Sequence, residues 1–375
     1  VRCLRSIAAT TVAASLLAAC GGGHKKSELG HEPTPRPTRP GQVVVIGGDP
    51  DAAGARSGAY AVDVRLPSNG GLAYDAAKHI VYFNLLSGRP DDALVGGIGP
   101  DGRLVTRVVP AQADQLAFHG GDLWPMSSHD GLRLDRVNTE TGQARTYLKW
   151  QAGARDGIRV RDVSGGTTSA DEADRLARYW QGSVFTVLND GRAVVANRRG
   201  ELFLVPAEGT LQAWAPKGFA DALTKASGGA DFGPTAVTAD GLHGLVVLGR
   251  RGLIRVSDDG VTSAVAFPKS VWSLPPWTAV TDIGDGTLLL LGGIKAPEFM
   301  QARPVLVRPD GALESLKLGG YTSCGRFDGS MNYVAGGNPG GIVRLADGTF
   351  VASDIDCRRI YRFRLPEGLS GTPLR

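Results

Sequence analysis

One unit recurs six times along this chain. An apolar run enters a tight turn, most often Asp-Gly, and a second apolar run leaves it. The first turns stand at Ala76, Gly121, Asp190-Gly191, Asp240-Gly241, Asp285-Gly286 and Asp347-Gly348. Asp-Gly between apolar runs is a strong hairpin signal, because glycine takes the positive φ that a tight turn demands. A second turn follows each first one, at Asp101-Gly102, Thr141-Gly142, Glu208-Gly209, Asp259-Gly260, Asp310-Gly311 and Glu367-Gly368. Two turns at this spacing make a four-stranded antiparallel sheet.

Successive first turns lie 45 to 70 residues apart, and the six units fill most of a 375-residue chain. That arithmetic predicts an all-β fold, a six-bladed β-propeller. A two-sheet sandwich has no use for six copies of one motif. The widest gaps carry insertions. Ser169 and Glu172 fit a capping box, which predicts a short helical insertion near 169–180. A Gly-rich loop covers 319–341. The last unit supplies three clear strands and a weak fourth. The alternating segment 59–66 (Tyr60, Val62, Val64, Leu66) is the expected N-terminal strand that completes the last blade. The run 43–46 either adds to the same sheet or starts a seventh blade. Closing the ring with both termini protects the sheet edges.

The segment ahead of the repeats reads as an address. Arg2 and Arg5 precede an apolar run over 7–19, which is too short to span a bilayer. The run ends Leu17-Ala18-Ala19-Cys20-Gly21. This resembles the lipobox of bacterial lipoproteins. The resemblance implies cleavage before Cys20, a diacylglycerol on its sulfur and an acylated amine. Residues 1–19 are then the signal peptide. Residues 20–42, with Gly21-Gly22-Gly23 and Pro33, Pro35, Pro37 and Pro40, form an extended tether, and 43–375 the propeller domain. The expected location is the outer face of the cell membrane, held by lipid.

The last unit carries a second resemblance. Its residues 341–354 read Gly-Ile-Val-Arg-Leu-Ala-Asp-Gly-Thr-Phe-Val-Ala-Ser-Asp, followed by Cys357-Arg358-Arg359-Ile360-Tyr361. This is similar to an NHL repeat: an apolar strand, Asp-Gly, a strand ending Ala-Asp, then a basic residue and Ile. It implies the propeller fold and, by itself, no one function.

Charge narrows the partners. Residues 1–40 hold six of the 41 basic residues and two of the 37 acidic ones, which leaves 35 of each sign in 41–375. A neutral domain carries no footprint for nucleic acid, and none is expected as a partner. The loops between second and third strands emerge on one face, beside the segments that precede each innermost strand. They bring Asn84, Ser127-Ser128-His129-Asp130, Asn197-Arg198-Arg199, Arg250-Arg251, Lys295 and Asp354-Ile355-Asp356 to that face. Two neighbouring units place an Arg pair at one structural position. Such pairs either grip a carboxylate or phosphate, or salt-bridge to an Asp of the next blade. Trp180, Phe232 and Trp277 reach the same rim, to stack on a flat ligand or to fill the space between blades.

Catalytic signals are poor. Gly97-Ile98-Gly99-Pro100-Asp101-Gly102 has the letters of a dinucleotide fingerprint, but it lies in a hairpin with no following helix. There is no Gly-x-Ser-x-Gly elbow and no His-x-x-x-His pair. Known lactonase-type propellers hold a metal with a Glu and polar residues at the channel, a set no strand end here displays. No cofactor and no metal are expected. Cys324 and Cys357 remain after processing, and an even pair in an exported chain favours a disulfide. The resulting expectation is a lipid-anchored, monomeric binding or interaction module. Its partner is an anionic small molecule, a glycan or a protein at the rim. A propeller enzyme, lactonase-like or a lyase, is the alternative.

Overall fold

The computed structural model describes residues 34–48, 57–66, 70–85, 94–109, 113–129, 131–151, 158–169, 175–176, 178–229, 231–240, 244–269, 277–292, 304–316, 339–355, 357–369 and 372–373. Six antiparallel sheets form the domain. Blade 1 is built of Leu72–Asp75, Ile80–Leu85, Leu94–Ile98 and Leu104–Val108. Blade 2 holds Gln115–His119, Asp122–Ser127, Gly131–Asn138 and Ala144–Gln151. Blade 3 holds Val184–Val187, Ala193–Ala196, Leu202–Ala207 and Thr210–Trp214, with Arg159–Arg161 added in parallel outside. Blade 4 is Pro234–Asp240, Gly244–Gly249, Gly252–Val256 and Thr262–Ala266. Blade 5 is Trp277–Gly284, Thr287–Gly292, Val305–Val307 and Leu313–Ser315, and Thr372–Pro373 pairs with its outer edge. Blade 6 takes Pro339–Arg344, Phe350–Asp354 and Arg359–Phe363 from the C-terminal part of the chain. The first strands of neighbouring blades touch in ring order, blade 6 against blade 1 included. The fold is a six-bladed β-propeller.

The core is six cores. Each apolar cluster joins one blade to the next. This explains the unbroken apolar second strands. In blade 5, Leu288 and Leu290 face blade 4, while Leu289 and Leu291 face blade 6. In blade 4, Leu245 and Val247 face blade 3, while Val246 and Leu248 face blade 5. Side chains alternate across a strand, so a strand covered on both sides must be apolar at every position.

The same rule corrects the expected closing strand. The outermost strand of blade 6 is Val43–Gly47, not 59–66. Val43 packs toward blade 5 and Ile46 toward blade 1. Segment 59–66 instead contains one 3-10 turn at Ala61–Asp63. Ala61 and Val64 are buried there and Val62 is 37% exposed, a spacing of three that belongs to a helical turn rather than a strand. Gly48, directly after Val43–Gly47, has a φ of +93° that needs glycine.

A helix at Phe219–Ser227 was not legible in the sequence. It packs Phe219, Ala222 and Ala226 against blades 3 and 4. Left-handed glycines, Gly218 and Gly228, bound it at both ends, and no side chain caps it. Of the expected helix near 169–180, Arg175 and Leu176 are helical, and most of the rest lies outside the described residues. Among the described residues no helix is long and apolar enough to cross a membrane.

Candidate functional site: the channel mouth

The innermost strands begin on one face and turn on the other. Their beginnings surround a central cavity of about 230 Å³. Every blade contributes: Gly71 and Leu72, Asp114 to Leu116, Phe185, Thr235 to Val237, Thr278 to Val280, and Gly340 to Ile342. The lining is apolar and backbone, with Asp114, Gln115, Thr235 and Thr278 as its polar side chains.

Hydrogen bonds stitch the blades together around this mouth. Ser353 of blade 6 donates its hydroxyl to the Gly70 carbonyl ahead of blade 1, at 2.9 Å. The Gly71 amide donates to the Asp114 carbonyl before blade 2, at 3.4 Å. Gln115 of blade 2 spans to blade 3. Its Nε2 donates to the Ser183 carbonyl at 2.9 Å, and its Oε1 accepts from the Phe185 amide at 2.7 Å. Asp114 Oδ2 accepts from the Ser128 amide at 2.7 Å and so fixes the loop that carries His129. Asn84, at the end of the second strand of blade 1, is buried with neither amide atom hydrogen-bonded. It lies beside Gly70. A buried amide without partners costs about 1–3 kcal/mol, and such groups mark places where water or a ligand is admitted.

Among the described residues, none of the rim positions expected from sequence lines the cavity. Asn197 is buried and spent on its own loop. Its Oδ1 accepts from the Arg199 and Glu201 amides, and its Nδ2 donates to Glu201 Oε2 at 2.7 Å. Arg198 and Arg199 are exposed. The Arg199 guanidinium lies over the Tyr179 ring, 5.1 Å from its centroid. Arg250 is exposed and Arg251 half-buried, at the matching position of blade 4. Among the described residues Arg198, Arg199 and Arg250 form no ion pair. His129 is exposed.

The aromatic residues do the other job open to them. Trp180 is buried between Trp150 and Phe203, in the core joining blades 2 and 3. Trp277 belongs to the core of blades 4 and 5, and Phe232 to that of blades 3 and 4. Phe232 fills the space over Gly249, where a β-carbon would stand 2.6 Å from its ring. These rings hold blades together and offer no face to a ligand.

With this geometry in view, the chain can be set beside known proteins. No protein-family model matches it, and no curated protein matches its sequence. Solved structures do. A Bacteroides thetaiotaomicron protein of unknown function aligns at a TM-score of 0.56 and 11% identity, over 86% of this chain and 75% of that one. A gluconolactonase of Xanthomonas campestris aligns at 0.52 and 13%, over 86% and 89%. A streptogramin B lyase aligns at 0.48 and 13%, over 79% and 94%. The likeness is one of fold.

Within that fold, the channel-lining Asp114, Gln115, Thr235 and Thr278 escaped the sequence reading. Their signal was available: a polar residue at the very start of an innermost strand. Among the described residues no group of three His, Cys, Asp or Glu is placed to hold a metal ion. Cys20, Asp130, Lys295, Cys324 and Asp356 lie outside the described residues. Cys357 is buried, and its amide donates to Asp354 Oδ1 at 2.9 Å.

Proposed function

We propose that this chain is a lipid-anchored, extracytoplasmic propeller that binds an anionic ligand or partner on its channel-mouth face. The observation that carries the reading is the exposed group Arg198, Arg199 and Arg250, from two adjacent blades, without a carboxylate partner among the described residues. The Arg199 guanidinium, a planar fork of donors lying over the Tyr179 ring, suits bidentate contact with a carboxylate or a similar oxyanion. The test uses the full chain in detergent, with citrate and dextran sulfate as probes. Arg199→Ala combined with Arg250→Ala is expected to weaken either probe about tenfold. Equal binding by wild type and variant removes the arginine reading.

Three companion readings belong to the same proposal. Cys20 carries the lipid, and the Leu17-Ala18-Ala19-Cys20 box supports this. Mass spectrometry of the N-terminal peptide is expected to find a diacylglyceryl, acylated Cys20, and an unmodified thiol there contradicts it. A Cys324–Cys357 bond is supported by the burial of Cys357 and by export. Thiol titration in denaturant, before and after reduction, is expected to gain two groups. The last repeat is NHL-like, on the strength of 341–361.

A lactonase-like hydrolase is the second reading. It rests on Asp114 at the cavity wall and the unsatisfied Asn84 amide beside Gly70, set in a fold like that of the Xanthomonas gluconolactonase. Gluconolactone hydrolysis that Asp114→Asn abolishes, together with a stoichiometric divalent ion in the purified protein, favours it. No hydrolysis above background removes it.

A further inference from the structure

A second cavity, of about 90 Å³, lies on the opposite face where blades 6 and 1 meet. One water needs ~10–15 Å³ by this measure, so the space suits a few waters or one small ion. Its polar wall is Arg36, Tyr74, His79, Asp347 and Arg362. No step of the reading above uses any of them.

Hydrogen bonds hold most of the wall in place. Arg362 is buried on the third strand of blade 6. Its Nε donates to Thr349 Oγ1 at 2.9 Å and its Nη2 to Asp347 Oδ2 at 2.5 Å. These bonds use two of its five N–H donors. Thr349 in turn donates to Asp347 Oδ1 at 2.6 Å. Across the gap, Tyr74 Oη and His79 Nδ1 are 3.0 Å apart. His79 closes the first turn of blade 1 at a φ of +55°. The fourth side comes from the segment ahead of the domain's first strand. Thr34 fixes it, with its amide on the Pro100 carbonyl at 3.0 Å and its hydroxyl on the Gly99 carbonyl at 2.6 Å. Arg36 follows two residues later. It is exposed and, among the described residues, forms no ion pair.

Two arginines thus share one small cavity with one carboxylate between them, and a positive charge is left over. Burial, and after it the charge of Arg36, depress the pKa of Arg362 even though Asp347 opposes them. An anion placed between the two guanidinium groups would offset that surplus charge. We propose that this cavity is a ligand site for a phosphate-type oxyanion, held between Arg36 and Arg362 with Tyr74 and His79 beside it. Arg362 is the fixed donor, and Arg36 closes the site from the tether side. The same chemistry is offered by free phosphate and by the phosphodiester of a lipid headgroup.

Calorimetric titration of the full chain in detergent tests this. Inorganic phosphate is one probe. Glycerophosphoglycerol, a soluble headgroup phosphodiester, is the other. Saturable binding of at least one is expected at constant ionic strength, and the stronger of the two names the source. Arg36→Gln, an exposed position that leaves the fold intact, is expected to weaken binding about tenfold, the scale of one charge-assisted contact. Arg36→Glu is expected to abolish it. Arg192→Gln removes the same charge from a first turn of another blade and is expected to change nothing. No saturable binding of either probe, or equal loss in Arg36→Gln and Arg192→Gln, overturns the proposal. The rim variants at Arg199 and Arg250 are read with citrate and dextran sulfate, so either site can fail alone.

Discussion

A β-carbon on Gly341 would stand 2.8 Å from the backbone nitrogen of Leu72, so blades 6 and 1 meet at the channel at a distance that excludes any side chain. Gly71 meets Leu116 of blade 2 in the same way, at 2.9 Å. These glycines are required by close approach of two backbones, not by φ. Gly341→Ala is therefore expected to push the inner strands apart and cost about 1–3 kcal/mol, as overpacking does. Urea denaturation of wild type and variant measures it, and an unchanged midpoint contradicts it.

Gln115 makes a polar link from blade 2 to blade 3, satisfying both the Ser183 carbonyl and the Phe185 amide. Gln115→Leu keeps the volume and strands both groups. The expected loss is about 1–3 kcal/mol, the cost of buried groups left unpaired. Gln115→Glu keeps the acceptor for the Phe185 amide but sets a carboxylate oxygen against the Ser183 carbonyl, and is also expected to destabilise. Equal stability of all three proteins removes the link.

Asp347 makes the domain sensitive to acid. Burial raises its pKa, but the Thr349 hydroxyl and amide and the Arg362 guanidinium outweigh this and hold it below the ordinary 3.8. A carboxyl depressed in the fold contributes stability that is complete above its unfolded value and is lost as pH falls through the folded one. Asp347→Asn is expected to be less stable than wild type at pH 7, with the difference shrinking below about pH 4. Denaturation midpoints from pH 7 to pH 2 measure this, and a difference constant across the range contradicts it.

Tyr361 limits the domain at the alkaline end. Burial first, then the charge of Asp354, push its hydroxyl from 10.0 up to about 12. A group whose pKa is raised by folding contributes fully below its unfolded value and loses that contribution as pH rises toward the folded one. Stability is expected to fall between pH 10 and pH 12 by roughly 2–3 kcal/mol from this group. Tyr361→Phe is expected to flatten that limb. An identical alkaline limb in the variant shows that Tyr361 is not its source.

The turns were the legible part of this fold. Gly191, Gly286 and Gly348 in first turns, and Gly102, Gly142, Gly209, Gly260 and Gly311 in second turns, all take positive φ where the repeat placed them. Strand pairs at such turns are local, so sequence spacing alone finds them. Ring closure is not local, and there the sequence misled. The segment with Tyr60, Val62, Val64 and Leu66 alternates like a strand, yet its burial follows a turn of helix. The run 43–46, the other segment open to that sheet, is the one that joins it, and its uniform apolarity is what insertion between two blades requires. At the rim, the spacing could not separate Arg198, Arg199 and Arg250, which are exposed, from Trp180 and Trp277, which turn inward. Side-chain direction there depends on the next blade. The polar wall at Arg36 and Arg362 joins residues more than 300 positions apart, and no local pattern announces it.

Hydrogen exchange across Val43–Gly47 tests most directly whether the chain is a ring closed by its own two ends. Its register is Val43 on Phe363, Val44 on Arg362 and Val45 on Tyr361. The hydrogen-bonded amides of this strand are expected to exchange as slowly as those of Ile342 to Arg344 in the same blade, through global unfolding alone. Exchange of the 43–47 amides within seconds, while 342–344 stay protected, contradicts a closed ring.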